Sequence, residues 1–335
     1  MAYTVGVSFD NFRAEKVDLF REDVQNARRS RDYLESQLTN LAANNPKFPR
    51  LGNGYVPFGS FARSTKVRPL DDIDMMVLLD GRDTRVETFY NHSCLLRITQ
   101  PSSPCVTFQD DQGYVSSRKI LNRIRDNLKT VHNYEKAELK VNQEAVVLKL
   151  KSYDWTFDMV PSFPVANSGQ VETLYYLIPD GNGHWKKTDP GKDREIVSAV
   201  NKTHQKLFLP LVRLIKYWNF YSRSAPRLSS YHLETLLVNG FKFQNPINSV
   251  RQGIAPAFGE IATRVILECP DPKQLGPDLD ANIAWDIKLK VRDAAYSMAN
   301  LANAALEFER REEYRKAIET WQSIFPGFPK YGDNL

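Results

Sequence analysis

Cysteine is scarce in this sequence. Cys94, Cys105 and Cys269 are the only three in 335 residues, an odd number with no C-x-x-C pair and no histidine at zinc-finger spacing. That argues against a disulfide framework or a structural zinc, and predicts reduced, buried thiols. Long apolar runs are missing as well. Nothing approaches the ~20 residues of a membrane helix, and the N-terminus reaches Asp10 and Arg13 without an uninterrupted apolar stretch. Neither a membrane span nor a signal peptide is expected, so the chain reads as soluble and cytoplasmic. No one sign of charge dominates: 45 Lys and Arg against 40 Asp and Glu leave a net +5, compatible with phosphate-rich ligands but requiring no nucleic acid. Internal repeats and low-complexity tracts are absent too. The composition is that of a globular chain with 42% apolar residues, and its length predicts two domains.

Val17, Phe20, Val24, Ala27, Leu34, Leu38 and Leu41 recur at helical intervals and predict one long helix that ends before Asn45-Pro46. Arg31 sits in its apolar seam, which favours packing on the chain's own globule over a coiled coil. A turn-rich stretch at 46–54 follows, then Phe58-Gly59-Ser60, then a strand at 73–79. A basic helix is expected at about 117–131. Residues 145–160 read as one strand or two, closed by Pro161, and Asp180-Gly181-Asn182-Gly183 is the clearest loop. From about Asp193 the pattern is helical: Leu207, Leu211, Leu214, Trp218 and Tyr221 form one stripe, 231–243 carries another, and 281–323 reads as two more helices. The expectation is an α/β (α+β) chain, with a mixed-sheet core over 1–195 and a helical lobe over 196–335.

Gly59-Ser60, eleven intervening residues and Asp72-Ile73-Asp74 at a strand start form the strongest pattern in the sequence. Carboxylates separated by one strand residue project to the same face, so Asp72 and Asp74 can share divalent metal ions. Gly59 lets the backbone approach a phosphate, while Ser60 and the amides of a helix starting there can cradle a triphosphate. A two-metal site needs a third carboxylate, and Asp158, between Phe157 and Met159, is the best placed. Structural alternatives exist for each fragment: a solvated Asp71-Asp72 turn, a Ser60 helix cap and a surface Asp158.

The pattern Phe58-Gly59-Ser60, Asp72-Ile73-Asp74 and Asp158 resembles the nucleotidyltransferase signature of the DNA-polymerase-β superfamily. Within it, residues 59–65, Val160-Pro161, Lys187-Thr188-Asp189-Pro190, 211–218 and Ser230-Tyr231-His232-Leu233-Glu234 are similar to the CD-NTases. These are the cyclic-oligonucleotide synthases of bacterial anti-phage (CBASS) systems, relatives of cyclic GMP-AMP synthase and oligoadenylate synthase. The likeness covers about residues 15–245. It implies a polymerase-β-like core with a C-terminal helical lobe, the active site between them, and Lys216 and Ser230 binding the donor triphosphate while Tyr231 stacks on a base. A capping Ser presents free amides to an anion and a tyrosine offers a π-face, which agrees. An exposed Lys216, a capping Ser230 and a core Tyr231 are the alternatives.

The resemblance further implies two Mg²⁺ ions, with Mn²⁺ able to substitute, on Asp72, Asp74 and Asp158. The hydroxyl of one nucleoside triphosphate would attack the α-phosphate of another, ATP among them, and repetition would close a ring. It also implies an effector that binds the product, room for a regulatory protein partner, a monomeric enzyme and no need of nucleic acid. His232 reads as structural. Arg118, Lys119, Arg123, Arg125 and Lys129 read as a solvated basic face. Two other functions use the same residues: a template-independent RNA nucleotidyltransferase of the poly(A) or CCA-adding type, which needs a broad basic groove, and a catalytically silent nucleotide sensor.

Overall fold

The structure is a computed structural model that describes residues 4–333 apart from 89–91, 168, 170 and 171. The chain begins with α1 (Val5–Phe12) and a π-helical turn at Arg13–Val17, and Val5, Phe9, Phe12 and Val17 are all buried among the C-terminal helices. After a break, α2 (Arg21–Asn44) lays Ala27, Leu34 and Leu38 on the sheet core. The helix expected from Val17 therefore starts at Arg21. Asp18 stops it, because its carboxylate is taken by Arg13 at 2.9 Å and Arg213 at 2.6 Å. Arg68 meanwhile binds the Ala14 and Asp18 carbonyls. Phe20, expected in the apolar stripe, is 53% exposed, with the Arg68 guanidinium 3.5 Å from its ring centre.

Strands β1 (Leu51–Pro57), β2 (Asp72–Leu79), β3 (Thr84–Thr88), β4 (Ser93–Ile98), β5 (Glu138–Asn142), β6 (Ala145–Lys149), β7 (Thr156–Val165), β8 (Tyr175–Pro179) and β9 (Trp185–Thr188) form one mixed sheet. Its order is β1-β2-β7-β8-β9-β4-β3, with the β5-β6 hairpin attached to β7. The stretch read as turn-rich thus already holds the start of β1, and 145–160 is two strands. Pro161 does not end β7. It lies between Met159, which pairs with β6, and Phe163, which pairs with β8, so its missing N–H leaves no ladder bond unmade on that side. The Asp180–Gly183 loop joins β8 to β9 as expected. The single turn α3 (Gly59–Ala62) follows β1, and α4 (Ser117–Leu128) buries Ile120, Leu121, Ile124 and Leu128.

Helix α5 (Pro190–Thr203) starts where Asp189 caps the amides of Gly191 and Lys192 and Pro190 fills the first position. Then come α6 (Phe208–Tyr221), α7 (Ser230–Phe241), α8 (Val250–Arg264), α9 (Trp285–Arg310) and α10 (Tyr314–Ile324). Helix α8 has no counterpart in the sequence reading because it carries Gly253, Pro256 and Gly259. Gly253 serves packing: a Cβ there would meet Leu211 Cδ2 at 2.8 Å, so α6 and α8 pack closely. The mixed sheet and the helical C-terminal region match the expected fold class. Two large cores result, one of sheet, α2 and α4, the other of α1 and α5–α10. A division near residue 195 with residues 5–17 added to the second lobe is the arrangement we propose. All three cysteines are buried, and burial pushes the Cys105 thiol up to about 12. No described helix is long and apolar enough to cross a membrane.

Candidate active site

Strands β2 and β7 run parallel, with Asp74 beside Asp158 and Asp72 beside Thr156. The alternation that buries Ile73, Met75, Phe157 and Met159 turns all three aspartates to the opposite, open face. Burial pushes the Asp74 carboxyl up to about 7, reinforced by the charges of Asp72 and Asp158. Asp158 is raised as well, first by burial and then by Asp72.

Gly59 explains why the turn after β1 reaches this face. Its φ is +69°, and a Cβ on it would stand 1.7 Å from Asp74 Oδ2. Only glycine combines that backbone with that proximity. Gly59→Ala is therefore expected to destabilise the protein by at least about 1 kcal/mol and to displace Asp74. A thermal melt and a turnover assay check this, and parental values in both would refute it.

The remaining residues surround two neighbouring cavities. Ser60, Asp72, Lys216 and Ser230 line one of about 180 Å³, together with Lys66. Gly59 and Tyr231 line another of about 480 Å³, with Arg63, Asp193, Asp271 and Lys273. Two details differ from expectation. The cap of α7 is Ser229, whose hydroxyl accepts from the His232 amide at 3.2 Å, so Ser230 is the first helical residue and is exposed. Lys216 is 4% exposed, and its ammonium donates to Glu234 Oε1 at 2.6 Å. The helical spacing put Lys216 away from the main stripe, but α7 packs against that face as well.

Glu234 also accepts from Arg63 at 3.0 Å and from the Thr65 hydroxyl at 2.9 Å. Burial alone would raise this carboxyl, but Lys216 and Arg63 outweigh it and hold Glu234 ionised, below its ordinary value. Burial draws Lys216 down against the pull of Glu234. One carboxylate thus joins the α3 turn to α6 and α7.

Tyr231 donates its hydroxyl to Asp193 at 2.6 Å and accepts from Lys273. Burial, then the Asp193 charge, raises its pKa. Tyr231→Phe removes a bond to a buried carboxylate, but Lys273 still serves Asp193. The expected loss is about 1 kcal/mol of stability with a several-fold rise in KM, and a larger rise for Tyr231→Ala. Equal kinetics in all three proteins would deny the ring any contact with substrate. Asp193, Lys273, Lys66 and Arg63 were not identified as candidate site residues. Arg63 lay within the 59–65 motif, whereas Asp271-Pro272-Lys273 carries no local pattern that marks it.

His232 is fully buried, and neither ring nitrogen has a hydrogen-bond partner among the described residues, in keeping with a structural residue. The basic residues of α4 and its cap form a largely solvated face, as expected, in which each cation also has a bond within the chain. Arg118 donates to the Gly181 carbonyl at 2.8 Å, Lys119 to Gln109 at 2.6 Å and Arg123 to Lys47 at 2.6 Å, while Arg125 and Lys129 pair with Asp126.

The donor set was tested for a divalent ion. Among the described residues no three His, Cys, Asp or Glu side chains are gathered closely enough to hold a metal as they stand. Asp72 is instead bonded to Lys66 at 2.6 Å. The chemistry nevertheless fits: three carboxylates on adjacent strands, where burial and then mutual repulsion raise Asp74 to about 7, form a hard oxygen set short of positive charge.

No protein-family model matches the sequence. A probable cyclic nucleotide synthase of Bacillus cereus is 34% identical over 336 residues, covering 99% of this chain and all of that one. The solved structure of Escherichia coli MS115-1 CdnC with ATP superposes with a TM-score of 0.70 at 18% identity, over 96% of this chain and 98% of that one. The complex of the same CdnC with HORMA-deltaN gives 0.69 at 18% identity, over 96% of each.

Proposed function

The chain belongs to the CD-NTase family of cyclic-nucleotide synthases and is a nucleotidyltransferase, and from that premise we propose that it joins nucleoside triphosphates, ATP among them, into a cyclic di- or oligonucleotide, releasing pyrophosphate at each step. The observation that carries this reading is the parallel pairing of Asp74 with Asp158, with Gly59 pressed against Asp74. Asp72, Asp74 and Asp158 would hold two Mg²⁺ ions, or Mn²⁺ in their place. When bound, the ions draw charge from the reacting phosphate and ease loss of the proton from the attacking hydroxyl.

The chain's own groups do the rest. The turn at Gly59-Ser60 brings backbone amides and the Ser60 hydroxyl to the triphosphate. Ser230 adds a hydroxyl across the smaller cavity, and Lys216 lends positive charge from beside it. Tyr231, held at its hydroxyl, offers a fixed ring edge and face in the larger cavity to a base. A linear intermediate turned round in the same site meets the same groups a second time, which closes the ring.

The near-balanced net charge favours a small acceptor over a long RNA, whose backbone needs positive charge along a groove. Retention of all three carboxylates speaks against a silent sensor. The CdnC complex with HORMA-deltaN supports a regulatory protein partner here, and an effector that binds the product completes an anti-phage (CBASS) signalling role for a monomeric cytoplasmic enzyme. The test is incubation with all four nucleoside triphosphates and Mg²⁺ or Mn²⁺, with and without added RNA, an assay of released pyrophosphate, then phosphatase treatment and mass spectrometry. A phosphatase-resistant cyclic product is expected. Elongated RNA as the only product would favour the tailing reading, and absence of pyrophosphate the silent one.

A further inference from the structure

Lys66 lies in the connection between α3 and β2, just past the glycine-serine motif. Its ammonium donates to Asp72 Oδ1 at 2.6 Å and also reaches Asp71. The lysine side chain is 12% exposed, whereas Asp71 and Asp72 are 57% and 42% exposed. Lys66 is therefore the fixed, half-enclosed member, and the carboxylates are the members that can turn away.

Its neighbour on the smaller cavity, Lys216, is differently held, bonded to a Glu234 that is itself buried and shared with Arg63 and Thr65. The two lysines that face Ser60 and Ser230 across this cavity thus differ in kind. Lys216 has a permanent partner. Lys66 has one that, on the reading above, belongs to a divalent cation. A divalent ion and the Lys66 ammonium compete for the Asp72 carboxylate, since two cations brought into contact repel each other.

We propose that Lys66 is a transferable counter-ion, which neutralises Asp72 while the site is free of metal and nucleotide and donates to the phosphates of the incoming nucleotide once Asp72 is engaged elsewhere. This rests on Asp72 being a metal ligand. Lys66 then couples two events. Binding of a metal ion alone sets that ion against Lys66 at Asp72 and leaves the ammonium only the exposed Asp71, so it is weakened. Binding with a nucleotide gives that ammonium a phosphate, so it is strong. Lys66 is in this respect a binding residue that keeps the empty site from trapping metal.

The test measures Mn²⁺ binding by electron paramagnetic resonance of the free ion, on the full chain without nucleotide, and separately the binding of α,β-methylene-ATP in the presence of Ca²⁺. Lys66→Met is expected to bind Mn²⁺ several-fold more tightly than the parent and the nucleotide several-fold more weakly. Lys66→Arg, which keeps the charge, is expected to follow the parent in both, and Lys66→Gln replaces the Met variant should that fail to fold. Unchanged or weaker Mn²⁺ binding in Lys66→Met would overturn the proposal, as would Lys66→Arg behaving like Lys66→Met. Asp74→Asn distinguishes the premise: Mn²⁺ binding by the parent that Asp74→Asn leaves intact would overturn the carboxylate reading itself, and the role of Lys66 with it.

Discussion

Asp74→Asn is expected to remove product formation by about a thousandfold or more, while leaving the metal-free protein at least as stable as the parent. Both halves come from the same charges. Asp74 is desolvated and faces Asp72 and Asp158, which together push it up to about 7. The amide is isosteric and uncharged, so it relieves that repulsion but supplies a poorer metal ligand. The sign for pH follows. A carboxyl that binds its proton more tightly in the folded state than in the unfolded one makes the folded state lose stability as pH rises between the two values. The metal-free parent should therefore melt at falling temperature from about pH 4 to about pH 7, and Asp74→Asn should flatten that slope. Pyrophosphate release and thermal melts over this range check both halves. A variant that keeps substantial turnover would remove Asp74 from the catalytic set, and an unaltered slope would mean that its carboxyl is not strained.

Glu234→Ala carries the largest expected effect on stability. Lys216 and Arg63 would each remain buried without their carboxylate, and breaking a buried pair from one side costs about 3 to 5 kcal/mol. For a chain of this size the unfolding midpoint should drop by roughly ten degrees. Glu234→Gln, which keeps the acceptor oxygen, should lose less. Activity should fall further than stability explains, because Arg63 and Thr65 follow directly on the α3 turn and Glu234 sets where that turn sits. Comparing turnover at a temperature where both variants are folded separates the two effects. A melt within a degree or two of the parent would show that water replaces the carboxylate and that the network is dispensable.

What could be read from the sequence follows the range of the interactions concerned. Asp72 and Asp74 are legible because strand alternation is a local rule, and Asp158 because its apolar neighbours alternate in the same way. That Asp158 stands beside Asp74, and not two residues away, is a matter of register between strands more than eighty residues apart, which no local pattern encodes. The role of Glu234 was missed for a related reason. The Arg63–Glu234 pair spans 171 positions, and a buried ion pair looks in sequence like two surface charges. Helix α8 was hidden by its two glycines and its proline, residues whose intrinsic penalties close packing on α6 overrides. The break at Asp18 was hidden by the opposite accident, a spacing that remains helical straight through it.

The path of α1 sets an order on the birth of the molecule. Phe9 and Phe12 find their partners in Trp321, Phe325 and Phe328, so α1 packs against α10 and the segment just after it. The sheet lobe can assemble as soon as residues up to about 188 have emerged, since its core draws on no later segment. The helical lobe must wait until α10 has emerged, with Phe9 and Phe12 exposed in the meantime. Lys216, Ser230 and Tyr231 sit on that late lobe, so a nascent chain carries Asp72, Asp74 and Asp158 long before those three residues join them.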